Sequence, residues 1–347
     1  MARIIHISIL FTLVFCEVAF TQSHKISPKN FFTDQDILEI QLFSDFKNLI
    51  KQKRNEGYKE QFQQAKIICL FPDGHLVEDE IEIRPRGEFR REECYMPPLM
   101  LNFKLARSEN FQKLGKLKLV LPCKFDPYHE QLILKEFLIY KIYNLLTEKS
   151  FRVRLVKIKY QDINTKMHAD AVFAFFIEDV DDMAKRNGCT EMELAAYHTE
   201  STERNQTTLV SLFQFMIGNT DWAVPLYRNI KLIVEGSSST VAPYVVPYDF
   251  DYCGLVNPDY GIPPPGLSIT SLQERLYRGY PRSILELNAV LDIFKKNKNS
   301  IDSIIDNTAY LYQNNRKEMK RYLDEFFDII KSEKEIKYTF ITNARTK

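Results

Sequence analysis

Several features that would indicate particular functions are missing from the sequence. It has no glycine-rich nucleotide-binding motif and no C-x-x-C pair, so a zinc site of that spacing is not indicated. Basic and acidic residues nearly balance, with a formal net charge of +1, and overall charge therefore gives no reason to expect a nucleic-acid partner. Internal repeats and low-complexity tracts are absent as well.

Long apolar runs are confined to the start of the chain. Residues 1–22 have Arg3, an apolar run from Ile4 to Phe15 and small residues near Thr21, which is typical of a cleaved export signal. Later in the sequence no segment reaches about 18 apolar residues, so we expect no transmembrane segment in the mature chain. We expect an exported protein, whether periplasmic, outer-surface or secreted. Lipoprotein processing at Cys16 and an uncleaved anchor are the weaker alternatives.

Cysteines are too few for a disulfide scaffold. Five remain after residue 22, and the odd number leaves at least one free thiol. Cys94 and Cys123 flank neighbouring predicted strands and are candidates for a disulfide in an oxidising compartment. Two separately buried thiols are the interpretation that the sequence favours slightly.

What the sequence does contain is enough apolar and aromatic material for a large core. Hydrophobic residues make up 45% of the chain, with 25 Phe and 18 Tyr. The apolar spacing predicts a helix over 33–54 that begins at Thr33, and then a hairpin that turns at Pro72-Asp73-Gly74. The further predicted strands are 98–105, 116–121, one near 152–160 and one near 168–178, with a helix over 129–147 between them.

The second half has a helical pattern. Helices are predicted over 179–187 and 207–217, and two or three more over 285–331, with two short strands near 226–234 and 242–248. The sequence therefore predicts an α+β fold with a cleft between a sheet-rich part and a helical part. The predicted division is a signal peptide (1–22), a helical extension (23–60), a sheet-rich N-lobe (61–178), a helical C-lobe (179–335) and a tail (336–347).

Acidic and amide side chains recur at the ends of the two short strands. Asp221 follows a turn in `GNTDWAVPLYRNIKLI`, Asn229 comes eight residues later, and Asp249 and Asp251 end the run `VPYDFD`. Two strands joined by a turn bring their ends together, so Asn229 and Asp249 are expected to meet. Such oxygen ligands suit Mg²⁺ or Mn²⁺, and Asp221 is then placed to accept a hydroxyl proton. Turn or capping roles are the alternative for each of these residues.

The order of loop Asp, Asn and strand-end Asp is the layout of protein-kinase-like phosphotransferases, although the spacings differ from H-R-D-x-x-x-x-N and D-F-G. These segments, with `IEIRPRGEFRR`, `PPLMLNFK` and `FFIEDVDDMAKRNG`, resemble the CotH-type spore-coat kinase family, in particular its exported relatives in Bacteroidetes-like bacteria. The resemblance covers about residues 60 to 280. It implies an atypical two-lobed protein-kinase-like fold that uses ATP and a divalent metal to phosphorylate protein Ser or Thr.

The resemblance also implies roles for single residues. Asp221 becomes the catalytic base, Asn229 and Asp249 become metal ligands, and Asp251 is a second acidic candidate. The remaining candidates would contact the nucleotide: Arg86 and Arg90 around Gly87 on the phosphates, Lys104 as first choice and Lys118 as alternative for the α/β-phosphates, Glu136 as partner of that lysine, and Glu178 facing the adenine.

Other functions compete with this interpretation. The D-x-D of Asp249 and Asp251 also resembles haloacid-dehalogenase phosphatases and metal-dependent glycosyltransferases. This sequence lacks the downstream Lys and acidic pair that the phosphatases need, and its first half lacks the alternating βα pattern of the glycosyltransferases. A non-catalytic kinase-like module for cell-envelope assembly is the stronger alternative, because ATP should be scarce where an exported protein works. A protein acceptor is the expected partner, and the sequence does not indicate an oligomeric state.

Overall fold

The computed structural model describes residues 28–59, 61–193, 196–236 and 241–345. The predicted export signal and Cys16 lie outside this part of the chain. Within it, no helix combines the length and the apolar composition that a membrane crossing requires. The strands are β1 (Leu38–Ser44), β2 (Gln63–Leu70), β3 (Leu76–Pro85), β4 (Leu99–Asn102), β5 (Lys116–Val120), β6 (Val153–Asp162), β7 (His168–Ile177), β8 (Cys189–Glu191), β9 (Ile230–Glu235) and β10 (Tyr244–Pro247).

Helices are short and scattered in the first half and long in the second, apart from one long helix between β5 and β6. They are α1 (Pro28–Thr33), α2 (Phe46–Gln52), α3 (Glu56–Lys59), α4 (Phe89–Glu93), α5 (Glu109–Gln112), α6 (Pro127–Leu146), α7 (Val180–Arg186), α8 (Arg204–Met216), α9 (Ile284–Asp306), α10 (Gln313–Ile329) and α11 (Glu333–Lys337). The prediction of an α+β chain, sheet-rich first and helical later, is confirmed.

The large sheet closes into a barrel, which the sequence did not indicate. Its strand order is β1-β2-β3-β4-β5-β7-β6, and the parallel pairing of β1 with β6 closes the ring. The other neighbouring strands pair antiparallel. A closed ring leaves no unpaired strand edge. The sheet-rich part is thus a barrel, and its equivalence to a kinase lobe stays a prediction.

The barrel wall is buried on both faces where the helices cover it. Along β7, Ala174 and Phe176 point into the barrel, whereas Phe173, Phe175 and Ile177 point outward into a second core shared with the helices. A strand that packs on both faces needs a nearly continuous apolar run, as `AVFAFFI` provides. The barrel interior and this second core meet along β6 and β7.

Helix α6 runs through the middle of the second core. It begins after Asp126, whose side chain accepts a hydrogen bond from the backbone N–H of His129, and Pro127 occupies the first turn. Its neighbours include β6 and β7 on one side and α9 on the other. Because the helix is enclosed, polar residues such as Glu136 are buried with the apolar ones, so they require partners.

A second, three-stranded sheet with the order β10-β9-β8 lies among the helices. The antiparallel register of β9 and β10 pairs Ile230 with Pro247. One step beyond this pair, the backbone N–H of Tyr248 donates to the carbonyl oxygen of Asn229 over 3.0 Å. The two strand ends that carry the predicted metal ligands are therefore adjacent, as the hairpin prediction requires.

The predicted helix over 33–54 is wrong in its first half, where β1 lies instead. Leu38, Ile40 and Leu42 are buried in the barrel, and Glu39 and Gln41 between them are exposed. The segment `ILEIQLF` fits the periodicity of a strand as well as that of a helix, and pairing with β2 and β6 decides between them. The barrel thus begins within the segment that we expected to be a helical extension.

The predicted tail also differs from the expectation, because it is ordered against the second core. Tyr338–Thr342 forms a π-helical turn after α11. Within it, Phe340 is fully buried, with ring centroids 5.2 Å from Phe215 and 5.0 Å from Tyr277. Burial of one aromatic ring anchors the segment.

Cys94 and Cys123 form a disulfide, so the favoured interpretation of two separate thiols is wrong. The bond joins the end of α4 to the segment after β5. The N–H of Tyr95 donates to the carbonyl oxygen of Cys123 over 2.9 Å and reinforces the same junction. The strand before α4 is β3, and β3 and β5 are both neighbours of β4, which is why the two cysteines meet. Cys69, Cys189 and Cys253 are buried and unpaired.

Removal of the disulfide should destabilise the fold. The bond spans 29 residues, and a cross-link over a loop of this size is expected to contribute about 3.5 kcal/mol by restricting the unfolded chain. We expect the double variant Cys94→Ser, Cys123→Ser to lose about that much free energy of unfolding in urea titrations. Wild type in reductant should approach the variant, and the variant itself should not respond to reductant. Equal stability of the wild type and the double variant in the absence of reductant would contradict the assignment of the disulfide.

Candidate active site

The ends of β9 and β10 bring together the three residues on which the sequence prediction depends. The side-chain Nδ2 of Asn229 donates to the carbonyl oxygen of Asp221 over 2.7 Å and to its Oδ2 over 3.0 Å. Asp249 follows Tyr248, which is hydrogen-bonded to Asn229 through the backbone. Asp221, Asn229 and Asp249 therefore lie around one point of the surface.

The carboxylate of Asp221 is held from two sides. Its Oδ2 accepts from Asn229, and its Oδ1 lies 2.5 Å from Nε of Arg228. The backbone N–H of Asp221 donates to Oδ1 of Asn219 over 2.9 Å, which fixes the turn after α8. Its side chain is only 16% exposed, whereas that of Arg228 is 59% exposed. Asp221 is thus fixed in orientation, and the guanidinium of Arg228 that pairs with it is exposed to solvent.

Backbone strain is concentrated at the same place. In the described chain, four residues other than glycine have positive φ, and three of them are Tyr227, Asn229 and Asp249, with φ of 50°, 52° and 63°. Left-handed backbone costs free energy for residues with a side chain, least for Asn and Asp and more for a bulky residue such as Tyr. The N–H of Asp249 donates to the hydroxyl of Tyr140 over 2.8 Å and holds its conformation. Strained backbone of this kind clusters at functional sites.

Behind Asp249 lies a buried charge cluster of Arg90, Glu136, Asp251 and Tyr260. Nη1 of Arg90 lies 3.4 Å from Oε2 of Glu136 and 3.6 Å from Oδ2 of Asp251. Nη2 of Arg90 donates to the carbonyl oxygen of Leu121 over 2.5 Å. The hydroxyl of Tyr260 donates to Oδ2 of Asp251 over 3.2 Å. One guanidinium therefore serves two buried carboxylates.

Ionisation of both carboxyl groups is disfavoured in this cluster. Burial, and then the negative charge of Asp249, raises the pKa of Asp251 to about 6, although Arg90 opposes the shift. Burial and Asp251 likewise raise the pKa of Glu136 well above its usual value. Burial alone would lower the pKa of Arg90, but Tyr260, Asp251 and Glu136 together raise it. A further cation at this position would relieve the repulsion between the carboxylates.

Positive charge faces Asp249 from the barrel. Nζ of Lys118, on β5, lies 4.9 Å from the ring centroid of Tyr248. Burial, followed by the positive charges of Arg86 and Lys231, lowers the pKa of Lys118 to about 8, whereas Asp249 acts in the opposite direction. Lys118 and Arg86 thus stand opposite the carboxylates, at the junction of the barrel and the helices.

The structure brings Lys118 to this junction and leaves Lys104 outside it. Lys118 pairs in register with Met100, whereas Lys104 lies two residues past Asn102, toward the other end of β4. That segment is a 3₁₀ turn, Phe103–Leu105, and not the strand end that we predicted, and Lys104 is exposed there. Glu136 contacts Arg90, so it does not supply the expected carboxylate for a lysine.

Glu178 and Arg91 are engaged in contacts that hold the scaffold. Oε1 of Glu178 lies 2.9 Å from Nε of Arg186, and its Oε2 accepts the backbone N–H of Arg152 over 2.9 Å. These contacts tie β7 to α7 and to the start of β6. Arg91 points away from the site and pairs with Glu56 over 2.6 Å. The predicted contact of Glu178 with adenine has no counterpart in these contacts and stays a prediction.

The residues present fit a divalent cation that is only partly coordinated by protein. Across the described residues, no three His, Cys, Asp or Glu side chains converge as a complete ligand set. Mg²⁺ is commonly held by one or two carboxylates, with phosphate oxygens and water filling the shell, so Asn229 and Asp249 suffice as protein ligands. The excess of buried carboxylates behind them favours a cation at this position.

Four residues of the site were not predicted from the sequence. Tyr140 orients Asp249, Tyr248 packs on Lys118, Tyr260 hydrogen-bonds Asp251, and Arg228 pairs with Asp221. Only Arg228 carried a usable signal, because it directly precedes Asn229 in the chain. The tyrosines lie on a helix, at a strand end and in a proline-rich loop, and only the fold brings them together.

Comparison with known proteins gives little further information. No protein-family model matches the sequence, and no curated protein matches it. A solved structure to which the chain is similar is the crystal structure of a Helicobacter pylori proinflammatory kinase, CtkA. The similarity has 14% sequence identity and a TM-score of 0.37, and it covers 72% of this chain and 93% of that one. A similarity of this size carries no argument about function.

Replacement of Lys118 by Met should stabilise the protein at neutral pH. A lysine whose folded pKa is about 8 destabilises the fold while it is charged, because the unfolded chain holds the proton up to about pH 10.4. We expect Lys118→Met to gain up to about 3 kcal/mol of unfolding free energy at pH 7, since the folded and unfolded pKa values differ by more than two units and each unit corresponds to about 1.4 kcal/mol.

The direction in which stability changes with pH is a second expectation. Relative to the variant, the wild type should gain stability as the pH rises from about 8 to about 10, because the folded state binds fewer protons there. Urea titrations at pH 7 and 9.5 measure both effects. Lys116→Met is the matched control, because Lys116 lies two residues earlier on β5 and is exposed. A loss of stability in Lys118→Met at pH 7, or an equal pH response in both variants, would show that Lys118 is not buried as described.

Proposed function

We propose that this protein is an exported, atypical kinase of the CotH type that transfers the γ-phosphoryl group of ATP to a Ser or Thr hydroxyl of a protein. The observation that carries the proposal is the convergence of Asp221, Asn229 and Asp249 at the ends of β9 and β10. Lys118 and Arg86 stand opposite them on the barrel side. This combination of a base, metal ligands and phosphate-binding cations is what phosphoryl transfer requires.

In this proposal Asp221 is the catalytic base. The acceptor oxygen forms a bond to the γ-phosphorus, the bond to the bridging β–γ oxygen breaks, ADP leaves, and the hydroxyl proton moves to a carboxylate oxygen of Asp221. Asn229 holds Oδ2 of Asp221, so the orientation of the base is fixed before the acceptor arrives. Pre-positioning of the reacting groups is the main contribution that a protein makes to this reaction.

Asn229 and Asp249 would hold Mg²⁺ or Mn²⁺, with Asp251 as a second acidic candidate. The metal would supply charge neutralisation at the phosphates. Asp249 is the better ligand candidate, because it is half-exposed at the strand end, while Asp251 is buried and bonded to Tyr260. Asp251 and Glu136 would instead hold Arg90 and set the negative potential behind the metal.

Lys118 and Arg86 would bind the phosphates of ATP. A lysine that is partly desolvated and forms no direct ion pair with a carboxylate of the described residues gains most from a phosphate, since the phosphate restores the charge balance. Lys104 is exposed in the 3₁₀ turn past the end of β4, and we propose no role for it in ATP binding. No role in nucleic-acid binding is proposed.

A nucleotide-binding module without transferase activity is the second candidate. The observation that favours it is the ion pair between Arg228 and Asp221, which occupies the oxygen that a base would use. The two candidates differ in one measurement, because both bind a metal–nucleotide complex but only the first transfers the phosphoryl group.

Replacement of Asp221 by Asn should abolish transfer and spare nucleotide binding. Loss of a general base costs about 100-fold or more in rate, whereas Asp221 is not proposed to contact the nucleotide. We expect phosphate incorporation from labelled ATP to fall at least that far, with the nucleotide-dependent rise in Tm retained. Full transfer by Asp221→Asn would exclude the proposed base. No transfer by the wild type, combined with a normal Tm rise, would favour the non-catalytic module.

Replacement of Asp249 by Asn should remove the metal-dependent part of nucleotide binding. Asn tolerates the left-handed backbone at this position, so the variant tests the charge and not the fold. We expect the wild-type Tm to rise with ATP and Mg²⁺ or Mn²⁺ together, and the variant to lose that rise. Asp170→Asn, an exposed change on β7, is the matched control. A full metal-dependent shift in Asp249→Asn would contradict the ligand assignment.

A further inference from the structure

Arg228 contacts the carboxylate that is the candidate for the catalytic base. It directly precedes Asn229 in the chain, and its Nε lies 2.5 Å from Oδ1 of Asp221. The other carboxylate oxygen, Oδ2, accepts the side-chain amide of Asn229 over 3.0 Å. Oδ1 is therefore the oxygen that an acceptor hydroxyl would approach, and it is the one that Arg228 contacts. With 59% of its side chain exposed, Arg228 is also accessible to a ligand.

A short loop fixes the backbone of Arg228. The N–H of Ala223 donates to the carbonyl oxygen of Arg228, and the N–H of Arg228 donates to the carbonyl oxygen of Ala223, both over 3.0 Å. Val224, within the loop, is buried. The residues on either side of Arg228, Tyr227 and Asn229, both have left-handed backbone. Such strain persists only where the surrounding structure imposes it, so the position of Arg228 is a built feature of this site.

A second guanidinium lies near Arg228 and is bound to the backbone. Nη1 of Arg278 donates to the carbonyl oxygen of Thr220, the residue before Asp221. Burial, and then the positive charge of Arg345, lowers the pKa of Arg278, and Arg228 adds to this effect whereas Asp221 opposes it. Arg278 thus repels Arg228 where Arg228 pairs with Asp221. An anion that draws Arg228 away from this pair would relieve that repulsion.

We infer that Arg228 is a second catalytic residue of the proposed kinase: when the metal–nucleotide complex is bound, its guanidinium moves from Oδ1 of Asp221 to the γ-phosphoryl group. The inference rests on the proposed function and adds a residue to the same site. In that proposal the γ-phosphoryl group lies between the metal ligand Asn229 and the base Asp221, and Arg228 adjoins both. Lys118 and Arg86 hold the phosphates from the barrel side, and Arg228 holds the transferred group from the acceptor side.

The exchange of partners is favourable because the phosphoryl group is the better anion for Arg228. An exposed ion pair such as that with Asp221 contributes little, since water screens it. The phosphoryl group in transfer spreads its charge over three oxygens, and a planar guanidinium can bind two of them at once. Arg228 stays protonated throughout, so the exchange itself moves no proton. Oδ1 of Asp221 is then free for the hydroxyl proton, so one movement both stabilises the transferred group and uncovers the base.

Removal of the guanidinium tests this role, with kcat measured for transfer to casein and, in parallel, for ATP hydrolysis. We expect Arg228→Gln to lower kcat about 1,000-fold, because arginines that contact a transferred phosphoryl group contribute about 10³ to 10⁵ to the rate. KM for ATP and Kd for Mg²⁺–ADP should change less than about threefold, because the lost contact is made in the transition state. Arg107→Gln, an exposed change past the 3₁₀ turn Phe103–Leu105, is the matched control and should keep the wild-type kcat.

Chemical rescue separates catalysis from packing. Guanidinium ion, at concentrations well below those that unfold the protein, should raise kcat of Arg228→Ala about tenfold or more and leave the wild type unchanged, because the free cation replaces the missing charge. A loss of kcat without rescue, together with a lower Tm, would show that Arg228 only holds the loop. A rise of kcat in Arg228→Gln would show that Arg228 only blocks Asp221. Either result overturns the inference.

A transition-state analogue gives a readout that does not require transfer. Aluminium fluoride with ADP and Mg²⁺ mimics the planar group in flight. We expect it to raise the wild-type Tm above the value with ADP and Mg²⁺ alone, since a tighter ligand stabilises the folded state more. Arg228→Gln should lose this increment and keep the rise that ADP and Mg²⁺ produce. An equal increment in Arg228→Gln and the wild type would overturn the inference.

The two readouts distinguish this inference from the proposed function. Transfer by the wild type with an unchanged kcat in Arg228→Gln overturns the inference and leaves the kinase in place. An aluminium fluoride increment that depends on Arg228, without transfer by the wild type, supports the contact with the phosphoryl group and overturns the kinase. Transfer and increment that both depend on Arg228 support both proposals, and neither transfer nor increment in the wild type overturns both.

Discussion

The burial of Arg90 between Glu136 and Asp251 is the interaction on which the site depends. Arg90 comes from α4, Glu136 from α6 and Asp251 from the loop after β10, so one guanidinium joins the barrel side, the central helix and the segment that carries Asp249. Removal of one partner from a buried charged group typically costs about 3 to 5 kcal/mol, because the other charges remain uncompensated. The position of Asp249, two residues before Asp251, is therefore set by charge pairing as well as by packing.

That charge pairing lies where the two cores of the protein meet. The barrel interior and the helical core share β6 and β7, and α6 runs along the outer side of this wall. The disulfide between Cys94 and Cys123 fastens the segment after α4 to the segment after β5, next to the carbonyl of Leu121 that Arg90 contacts. Covalent and ionic contacts thus fix the same junction, and side chains at its rim can be held to the tolerance that catalysis demands.

Contacts between segments close in the sequence could be predicted, and contacts between distant segments could not. The β9–β10 hairpin is local, so the meeting of Asn229 with the segment around Asp249 followed from strand order alone. The choice between Lys104 and Lys118 did not follow from strand order. Both lie in segments of alternating apolar and polar residues, and only the register of β4 with β5 decides which lysine faces the helices. β1 was missed for the same reason, since its partners β2 and β6 determine it and its own pattern is ambiguous.

The distribution of charge around Asp249 links these points to the proposed reaction. On one side Glu136 and Asp251 share one guanidinium and repel each other when both are ionised, and on the other Lys118 and Arg86 repel each other. Each imbalance is unfavourable in isolation. A metal–polyphosphate complex has a cationic centre and an anionic periphery, so a single ligand would neutralise both sides at once. Charge that the folded chain leaves unbalanced therefore accounts for the place that we propose for the nucleotide and the metal, between the two cores.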